Sequence, residues 1–141
     1  MLQASSWSNE EVPGWRGVIN HVDLVVADLA TSGELYEAAL EPLGFRRLYE
    51  ESDSIGFGTV RNDDFWLRQG PQLMGDRTVG VHLALVATTN AAVDRFFQRA
   101  VTQGAQADKP PAFRTEFHEG YYAAFLWGLD RNHIEAVNHN R

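Results

Sequence analysis

The chain has 141 residues, a length that suits one compact domain or two very small modules that share a core. Its formal net charge of −7 argues against binding to nucleic acids or anionic membranes, because both require a basic face. It contains no cysteine, which excludes disulfides, thiolate metal sites and cysteine nucleophiles. No apolar run approaches the length that crosses a bilayer, and the polar start has no secretory pattern, so we expect a cytoplasmic protein.

The first half of the chain is predicted to contain one helix and four strands. Residues 1–16 form a polar N-terminal extension, and the apolar, partly alternating stretch "VINHVDLVVADL" then predicts a strand. Asp28 and Thr31 are candidate N-caps for a helix over "SGELYEAALEPLG", which Gly44 is placed to end. Three short strands follow, at "FRRLYEE", "SIGFGTV" and "DFWLRQ".

After a turn-rich link, "GPQLMGDR", the same order of elements starts again. A strand at "VGVHLALVA" precedes a capped amphipathic helix, "TTNAAVDRFFQRAVTQG", which ends at Gly104. A short strand is expected at "AQADK", and closing strands at "YYAAFLWGL" and "NHIEAV". Pro110 and Pro111 predict that "PPAFRTEFHEG" is a loop, since proline interrupts regular structure. His133 and His139 are expected at the surface.

The two halves form an internal repeat. His21 and His82 each open a unit and lie 61 positions apart, and the glycines that end the helices, Gly44 and Gly104, lie 60 apart. One helix cannot cover a unit's sheet alone, so the units are expected to pair. The sequence therefore predicts an α+β fold of two βαβββ modules, 17–74 and 75–141. These modules would pair into a curved mixed sheet that encloses a cleft, with the helices outside.

This order, with a His on the first strand of each unit and a Glu on the last strand, resembles the vicinal oxygen chelate superfamily. That group comprises glyoxalases, bleomycin-resistance proteins and extradiol dioxygenases. The stretches that carry the resemblance are "INHVDLVVADLATSGELYEAALEPLGFRRLYE", "GVHLALVATTNAAVDRFFQRAVTQG" and "YYAAFLWGLDRNHIEAV". The resemblance implies a divalent metal ion (Fe, Mn, Ni, Co or Zn) held by His21, His82 and Glu135. It also implies a small-molecule substrate or ligand and a homodimer, with the cleft formed within one chain or across two.

Two departures from the family pattern bear on the expected activity. A glyoxalase-type site takes a fourth ligand from the last strand of the first module, where this chain has Trp66, which cannot bind a metal. The turn before the final strand reads "GLDRN" instead of Asp-Pro-Asp-Gly-Asn. Two His and one carboxylate leave open metal positions for adjacent substrate oxygens. We therefore expect a metal-dependent dioxygenase or lyase; the alternative is a metal-free small-molecule-binding protein of the bleomycin-resistance type.

Three residues at or just before the predicted strand "YYAAFLWGL" are candidates for catalysis. His118 follows the proline-rich stretch and is a candidate general acid or base, because an unperturbed histidine titrates near neutral pH. Tyr121 and Tyr122 point to opposite faces, so one of them is expected to face the cleft and hydrogen-bond a substrate oxygen. A surface loop for His118 and core packing for the tyrosine are the alternatives.

Three residues of the first module are candidates for substrate binding. Asp64, Trp66 and Arg68 share one face of a predicted strand. If that face lines the cleft, Trp66 would stack on a flat substrate and Arg68 would pair with a carboxylate. The alternative is an outer, solvated face that carries a half-buried tryptophan.

Overall fold

The computed structural model describes residues 19–59, 63–70 and 82–141. The predicted N-terminal extension, residues 1–16, and nearly all of the link between the repeats, including the predicted module boundary, lie outside the described residues.

The elements follow the predicted order in both halves of the chain. The first module consists of β1 (Val22–Val26), α1 (Leu29–Leu40), β2 (Arg46–Glu50), β3 (Ser54–Gly58) and β4 (Phe65–Gln69). The second module consists of β5 (His82–Val86), α2 (Asn90–Thr102), β6 (Gln106–Phe113), β7 (Tyr122–Trp127) and β8 (His133–Asn138).

The helix boundaries have local causes. Asp28 caps α1, because its carboxylate accepts hydrogen bonds from the backbone N–H of Thr31 at 3.0 Å and from the Thr31 hydroxyl at 2.8 Å. Thr89 caps α2 in the same way through the backbone N–H of Ala92, at 3.0 Å. A single 3₁₀ turn follows α1 and ends at Gly44, whose φ of 89° favours glycine.

Each module forms its own four-stranded mixed sheet, with strand orders β1-β4-β3-β2 and β5-β8-β7-β6. β1 is parallel to β4 and β5 is parallel to β8, and the remaining pairs are antiparallel. The predicted α+β fold of paired βαβββ modules is confirmed. Within the described part of one chain the two sheets are not joined into a single layer, and β1 and β5 lie at sheet edges.

Both helices lie against the same core. α1 and α2 pack against each other and each packs on its own sheet, and one continuous cluster of buried side chains includes residues of both modules. Alternation along the strands leaves the other face of each sheet free: on β1, Leu24 and Val26 are buried while Asp23 and Val25 are exposed. We call the face turned away from the helices the open face of each sheet.

The turn before β8 holds the two modules together. Oδ1 of Asp130 accepts a hydrogen bond from the backbone N–H of Ala27, at 2.9 Å. Gly128 lies against Tyr36 of α1, and a Cβ at this position would come within 2.6 Å of the Tyr36 hydroxyl oxygen. The sequence "GLDRN", which departs from the family turn, therefore forms a contact between the modules.

The prediction of a loop at Pro110 and Pro111 was wrong, because β6 continues through both prolines to Phe113. β6 is the edge strand of its sheet, and its pairing with β7 is irregular between Ala107 and Lys109 and again before Ala112. A proline lacks the N–H that a regular ladder needs, but edge positions and bulges tolerate that loss. Of the predicted loop, residues 114–120 remain, and they carry His118.

Candidate functional site

The two parallel strand pairs have the same register, so positions in one module can be matched to the other. The β1 residue two positions after His21 is paired with Trp66. The β5 residue two positions after His82 is paired with Glu135. His21 and His82 therefore occupy equivalent places, and Trp66 stands where the second module has its carboxylate.

His82 and Glu135 meet on the open face of the second sheet. Nε2 of His82 lies 2.9 Å from Oε1 of Glu135, and Glu135 is only 3% exposed. The other carboxylate oxygen, Oε2, accepts a short hydrogen bond from the Tyr121 hydroxyl. A buried carboxylate is costly unless both oxygens are engaged, and here each has a partner. Glu135 is therefore a buried residue held from two sides, and it is not an outward, solvated strand residue.

The environment keeps Tyr121 protonated. Burial raises the pKa of Tyr121, and the hydrogen bond to Glu135 and the negative charge of that carboxylate raise it further. Tyr121 is therefore a phenol, and a hydrogen-bond donor, across the neutral pH range.

A chain of side chains continues from His82 to the edge of the sheet. Nδ1 of His82 lies 2.7 Å from Nδ1 of His133, and Nε2 of His133 lies 2.9 Å from Oδ2 of Asp108 on β6. We call Tyr121, Glu135, His82, His133 and Asp108 the second-sheet network. The expectation that His133 is a surface residue was wrong, since it is half-buried between His82 and Trp127, whose ring centroid is 4.1 Å away.

His118 lies beside this network. Its Nε2 is 2.8 Å from Nδ1 of His139, and its Nδ1 is 2.7 Å from the carbonyl oxygen of Glu119. Both imidazoles meet the Tyr121 ring edge-on, with centroids 5.3 and 5.2 Å away. A carbonyl only accepts, so Nδ1 of His118 carries the proton and Nε2 is left as an acceptor.

Tyr122 points to the other face of the sheet. Its hydroxyl donates to Oδ1 of Asp94 on α2, at 2.6 Å. That hydrogen bond, together with burial, raises the pKa of Tyr122 to about 12. The predicted alternation is therefore observed, and of the two tyrosines only Tyr121 reaches the open face.

The open face of the first sheet carries His21 in a separate depression of about 320 Å³. Nδ1 of His21 lies 2.6 Å from the side-chain oxygen of Asn20. Arg68 contacts Oδ2 of Asp23 through Nε at 3.3 Å and Nη2 at 3.2 Å. Asp23 therefore pairs with a guanidinium on this face.

Trp66 lies flat on this open face. A Cβ at Gly56 would come within 2.8 Å of the indole, which shows that the ring covers the glycine on the neighbouring strand. The indole N–H donates to the carbonyl of Asp63 at 2.9 Å, and the ring is parallel to Tyr49, 5.9 Å away. Glycine at position 56 is what makes room for this arrangement.

Asp64 takes no part in the depression. It does not line this cavity, and its Oδ1 is buried with no hydrogen-bond partner among the described residues. Burial raises the pKa of its carboxyl group.

The structure brings together two of the three predicted metal ligands. His82 and Glu135 are in contact, whereas His21 lies on the other sheet of the same chain. Within the described ranges, no group of three His, Asp or Glu side chains is arranged to hold a metal ion. Sequence reasoning also missed Asp108 and His133 as neighbours of the site. The shared strand face of His133 and Glu135 was the one available signal.

The comparisons with known proteins agree with this architecture. The model of the Glyoxalase/Bleomycin resistance protein/Dioxygenase superfamily matches residues 18–135, most of the chain. The chain therefore belongs to this superfamily, as its resemblance to vicinal oxygen chelate proteins predicts. No curated protein sequence matches the chain. In the described residues, neither helix has the length and apolar character needed to cross a membrane.

Solved structures share the fold over nearly their whole length. A glyoxalase/bleomycin resistance protein from Albidiferax ferrireducens T118 is 25% identical, with a TM-score of 0.70, covering 84% of this chain and 95% of that one. A glyoxalase/bleomycin resistance protein/dioxygenase family enzyme from Burkholderia phytofirmans PsJN is 19% identical, with a TM-score of 0.65 and coverages of 86% and 98%. The fosfomycin resistance protein FosX from Mesorhizobium loti is 19% identical, with a TM-score of 0.63 and coverages of 88% and 93%.

Proposed function

We propose that this protein is a metal-dependent enzyme that acts on a small substrate bound through adjacent oxygens. The observation that carries the proposal is the contact between Nε2 of His82 and Oε1 of Glu135, 2.9 Å apart on the open face of the second sheet. Metal–ligand bonds from imidazole and carboxylate are about 2.0–2.2 Å long, so two ligands of one ion ordinarily lie about this far apart. The donor set therefore fits a divalent first-row ion.

The third ligand, in this proposal, is His21 of a second copy of the chain. His21 and His82 occupy equivalent places beside β1 and β5, and both strands are sheet edges. Edge strands expose backbone groups that another strand can satisfy. Val25 and Val86, at matching positions on these edges, are 40% and 69% exposed. A two-fold dimer can set β1 of each copy beside β5 of the other. All four of these edge strands are then covered.

The side chains around the pair have distinct proposed roles. A bound divalent ion would supply a Lewis acid for the adjacent substrate oxygens. Tyr121 fixes the orientation of Glu135 by donating to its outer oxygen. His118, whose Nε2 contacts Nδ1 of His139 and whose ring meets that of Tyr121 edge-on, is the proposed general base. Trp66, on the first sheet, offers a flat surface to the substrate.

Measuring the bound metal in untagged protein tests this function. We expect near-stoichiometric metal in the wild type after reconstitution with Fe(II), Mn(II), Ni(II), Co(II) or Zn(II). The metal should be lost from His82→Ala and Glu135→Ala and kept in His139→Ala, the matched histidine control. A wild-type protein that retains none of these metals would refute the proposal.

A metal-free binding protein is the second candidate, and one observation favours it. Trp66 replaces the carboxylate at the position equivalent to Glu135, and it lies parallel to Tyr49 on a face that also carries Asp23 and Glu51. Such a surface suits a flat aromatic ligand. Undiminished binding of a flat aromatic dye to protein stripped of metal, lost in Trp66→Ala, would favour this candidate.

A further inference from the structure

We propose that the ammonium group of Lys109 binds an anionic group of the substrate, a carboxylate or a phosphate, on the open face of the second sheet. The inference rests on the proposed function, because it adds a charged anchor to a molecule whose adjacent oxygens are bound at His82 and Glu135. It narrows the substrate class from small oxygenated molecules to small anionic ones.

Lys109 is the only lysine in the chain, and every other basic side chain apart from the histidines is an arginine. The formal net charge of −7 means that most of the surface repels an anion, so the place of each cation matters for an anionic ligand. The salt bridges among the described residues use arginines and histidines as their cations, and none of them includes Lys109. Within that part of the chain, no carboxylate pairs with this ammonium group.

The irregular path of β6 directs Lys109 onto the open face. Consecutive residues of a regular strand point to opposite faces of the sheet. Just before Lys109 pairs with Phe125, two residues of β6 oppose one residue of β7, so Asp108 is the extra residue of a bulge. Both side chains therefore reach the same face. Asp108 contacts His133 at 2.9 Å, and the Lys109 ammonium lies 5.4 Å from the centroid of the Phe125 ring.

Phe125 is the common neighbour of Lys109 and the proposed metal site. Its ring lies nearly parallel to that of His82, with centroids 5.9 Å apart and an interplanar angle of 20°. It is also the cross-strand partner of Glu135. The electron-rich face of an aromatic ring attracts a cation, which holds the ammonium group beside the residues at which the substrate oxygens would bind. A lysine ammonium is a compact point charge that suits carboxylate and phosphate oxygens.

A lysine on an edge strand also has a bland role, because its charge opposes pairing of that edge with another sheet. Pro110 and Pro111, which follow directly, already remove two N–H groups from this edge. The edge role requires a charge but no ligand. It therefore predicts the same behaviour towards charged and neutral small molecules, whereas an anion-binding group distinguishes them.

The single lysine permits a direct measurement. Untagged, metal-free protein labelled with ¹³C-lysine gives one ¹³Cε–¹Hε signal, that of Lys109. The ring current of Phe125 should shift this signal upfield from the position of free lysine, and Phe125→Leu should remove the shift. Benzoate and phenyl phosphate should move the signal in a saturable way. Benzamide, which has the shape of benzoate but no charge, should leave it in place.

Variants measure how much the charge contributes. Lys109→Gln keeps a long polar side chain but loses the hydrogen bond to a charged group, so the Kd of benzoate in ¹H–¹⁵N titrations should rise at least about tenfold. Lys109→Arg should stay within a few-fold of the wild type. Arg99→Gln is the matched control, because it makes the same change in net charge on α2, where Arg99 pairs with Glu41. It should leave the Kd unchanged.

The inference is overturned if neither anion moves the Lys109 signal, or if Lys109→Gln binds both as tightly as the wild type. An equal loss in Arg99→Gln would show a general charge effect and overturn it as well. Saturable binding of only one anion supports the inference and decides between a carboxylate and a phosphate. Lys109→Gln should keep the metal content of the wild type. A wild type that binds no metal refutes the proposed function instead, and the titrations without metal still decide this inference.

Discussion

Tyr121 donates its phenolic proton to the carboxylate of Glu135, a residue that is buried among apolar neighbours. The same carboxylate faces His82 with its second oxygen. Tyr121 immediately precedes β7 and follows Gly120, whose φ of 89° turns the chain onto the sheet. One hydrogen bond thus ties the loop that carries His118 to the residue on which the proposed metal site depends.

Removal of this hydroxyl should destabilise the protein. Tyr121→Phe leaves one oxygen of Glu135 buried without a donor, which ordinarily costs about 1–3 kcal/mol of unfolding free energy. Denaturant unfolding measures the loss. Tyr122→Phe is the matched control, because its partner Asp94 is a helix residue that is only partly buried and can turn to water. An equal loss in both variants would contradict the role given to Glu135.

Subunit complementation tests whether two copies of the chain build the site. Neither His21→Ala nor His82→Ala should bind metal alone. In a two-fold dimer with shared sites, random mixing of the two variants restores one of two sites in half of the dimers, about a quarter of the wild-type metal content.

The control for complementation pairs two lesions in the same half-site. His82→Ala mixed with Glu135→Ala damages the second module of both chains, so no mixed dimer contains an intact site. Recovery of metal in this control, or none in the His21 and His82 mixture, would show that the site is not assembled across copies as proposed.

Asp64 should make stability depend on pH in a defined direction. Burial raises the pKa of its carboxyl group, so the folded state binds the proton more tightly than the unfolded state does. The ionised form therefore costs stability at neutral pH, and that cost vanishes below the unfolded pKa of about 3.9. Asp64→Asn should be more stable than the wild type at pH 7 and equal to it by about pH 3.

Asp28 provides a control of opposite sign. Hydrogen bonds from the backbone N–H and hydroxyl of Thr31 lower the pKa of Asp28. Its stabilising contribution is therefore present above the unfolded pKa and is lost as the pH falls through the folded value. Asp28→Asn keeps an N-cap but removes this dependence, so the wild type should lose its advantage over Asp28→Asn on acidification. Parallel curves for the Asp64 and Asp28 variants would contradict both assignments.

Gly56→Ala should displace the indole of Trp66 without disturbing the second sheet. The new methyl group would meet the ring at 2.8 Å, and overpacking of this kind costs about 1–3 kcal/mol. We expect a changed tryptophan emission spectrum and weaker binding of flat aromatic ligands, with the metal content unchanged. Gly56→Ala protein that binds such ligands as tightly as the wild type would argue against Trp66 as a substrate surface.

The fold was predictable because its signals are local and occur twice. Caps, glycines and strand alternation recur at the same offset, and the parallel register of β5 and β8 places Glu135 on the same sheet face as His82. The path of β6 was not predictable, because a proline in a strand is tolerated only at an edge or bulge, and neither is visible in one sequence. Asp108 was missed for the same reason. Side chains of an irregular strand do not alternate regularly between the two faces of the sheet, so the face on which Asp108 lies could not be predicted.

The separation of His21 from the pair was also beyond the sequence. Equivalent positions in a repeat predict equivalent places in the fold, and that expectation held for His21 and His82, although their neighbours differ. It does not fix how the two modules face each other within one chain. That orientation depends on helix packing and on the turn at Gly128, which are tertiary contacts between distant residues.

The contact between Asp130 and the backbone N–H of Ala27 has a consequence for how this chain unfolds. Together with the shared core, it ties the opening of one βαβββ module to the opening of the other. The helix of each module packs against the helix of the other, so unfolding of one module would expose the helix of its partner. We therefore expect the two modules to unfold as one cooperative unit. Amide protons deep in β1 and in β8 should then exchange with solvent through the same global opening, although they belong to different copies of the repeat.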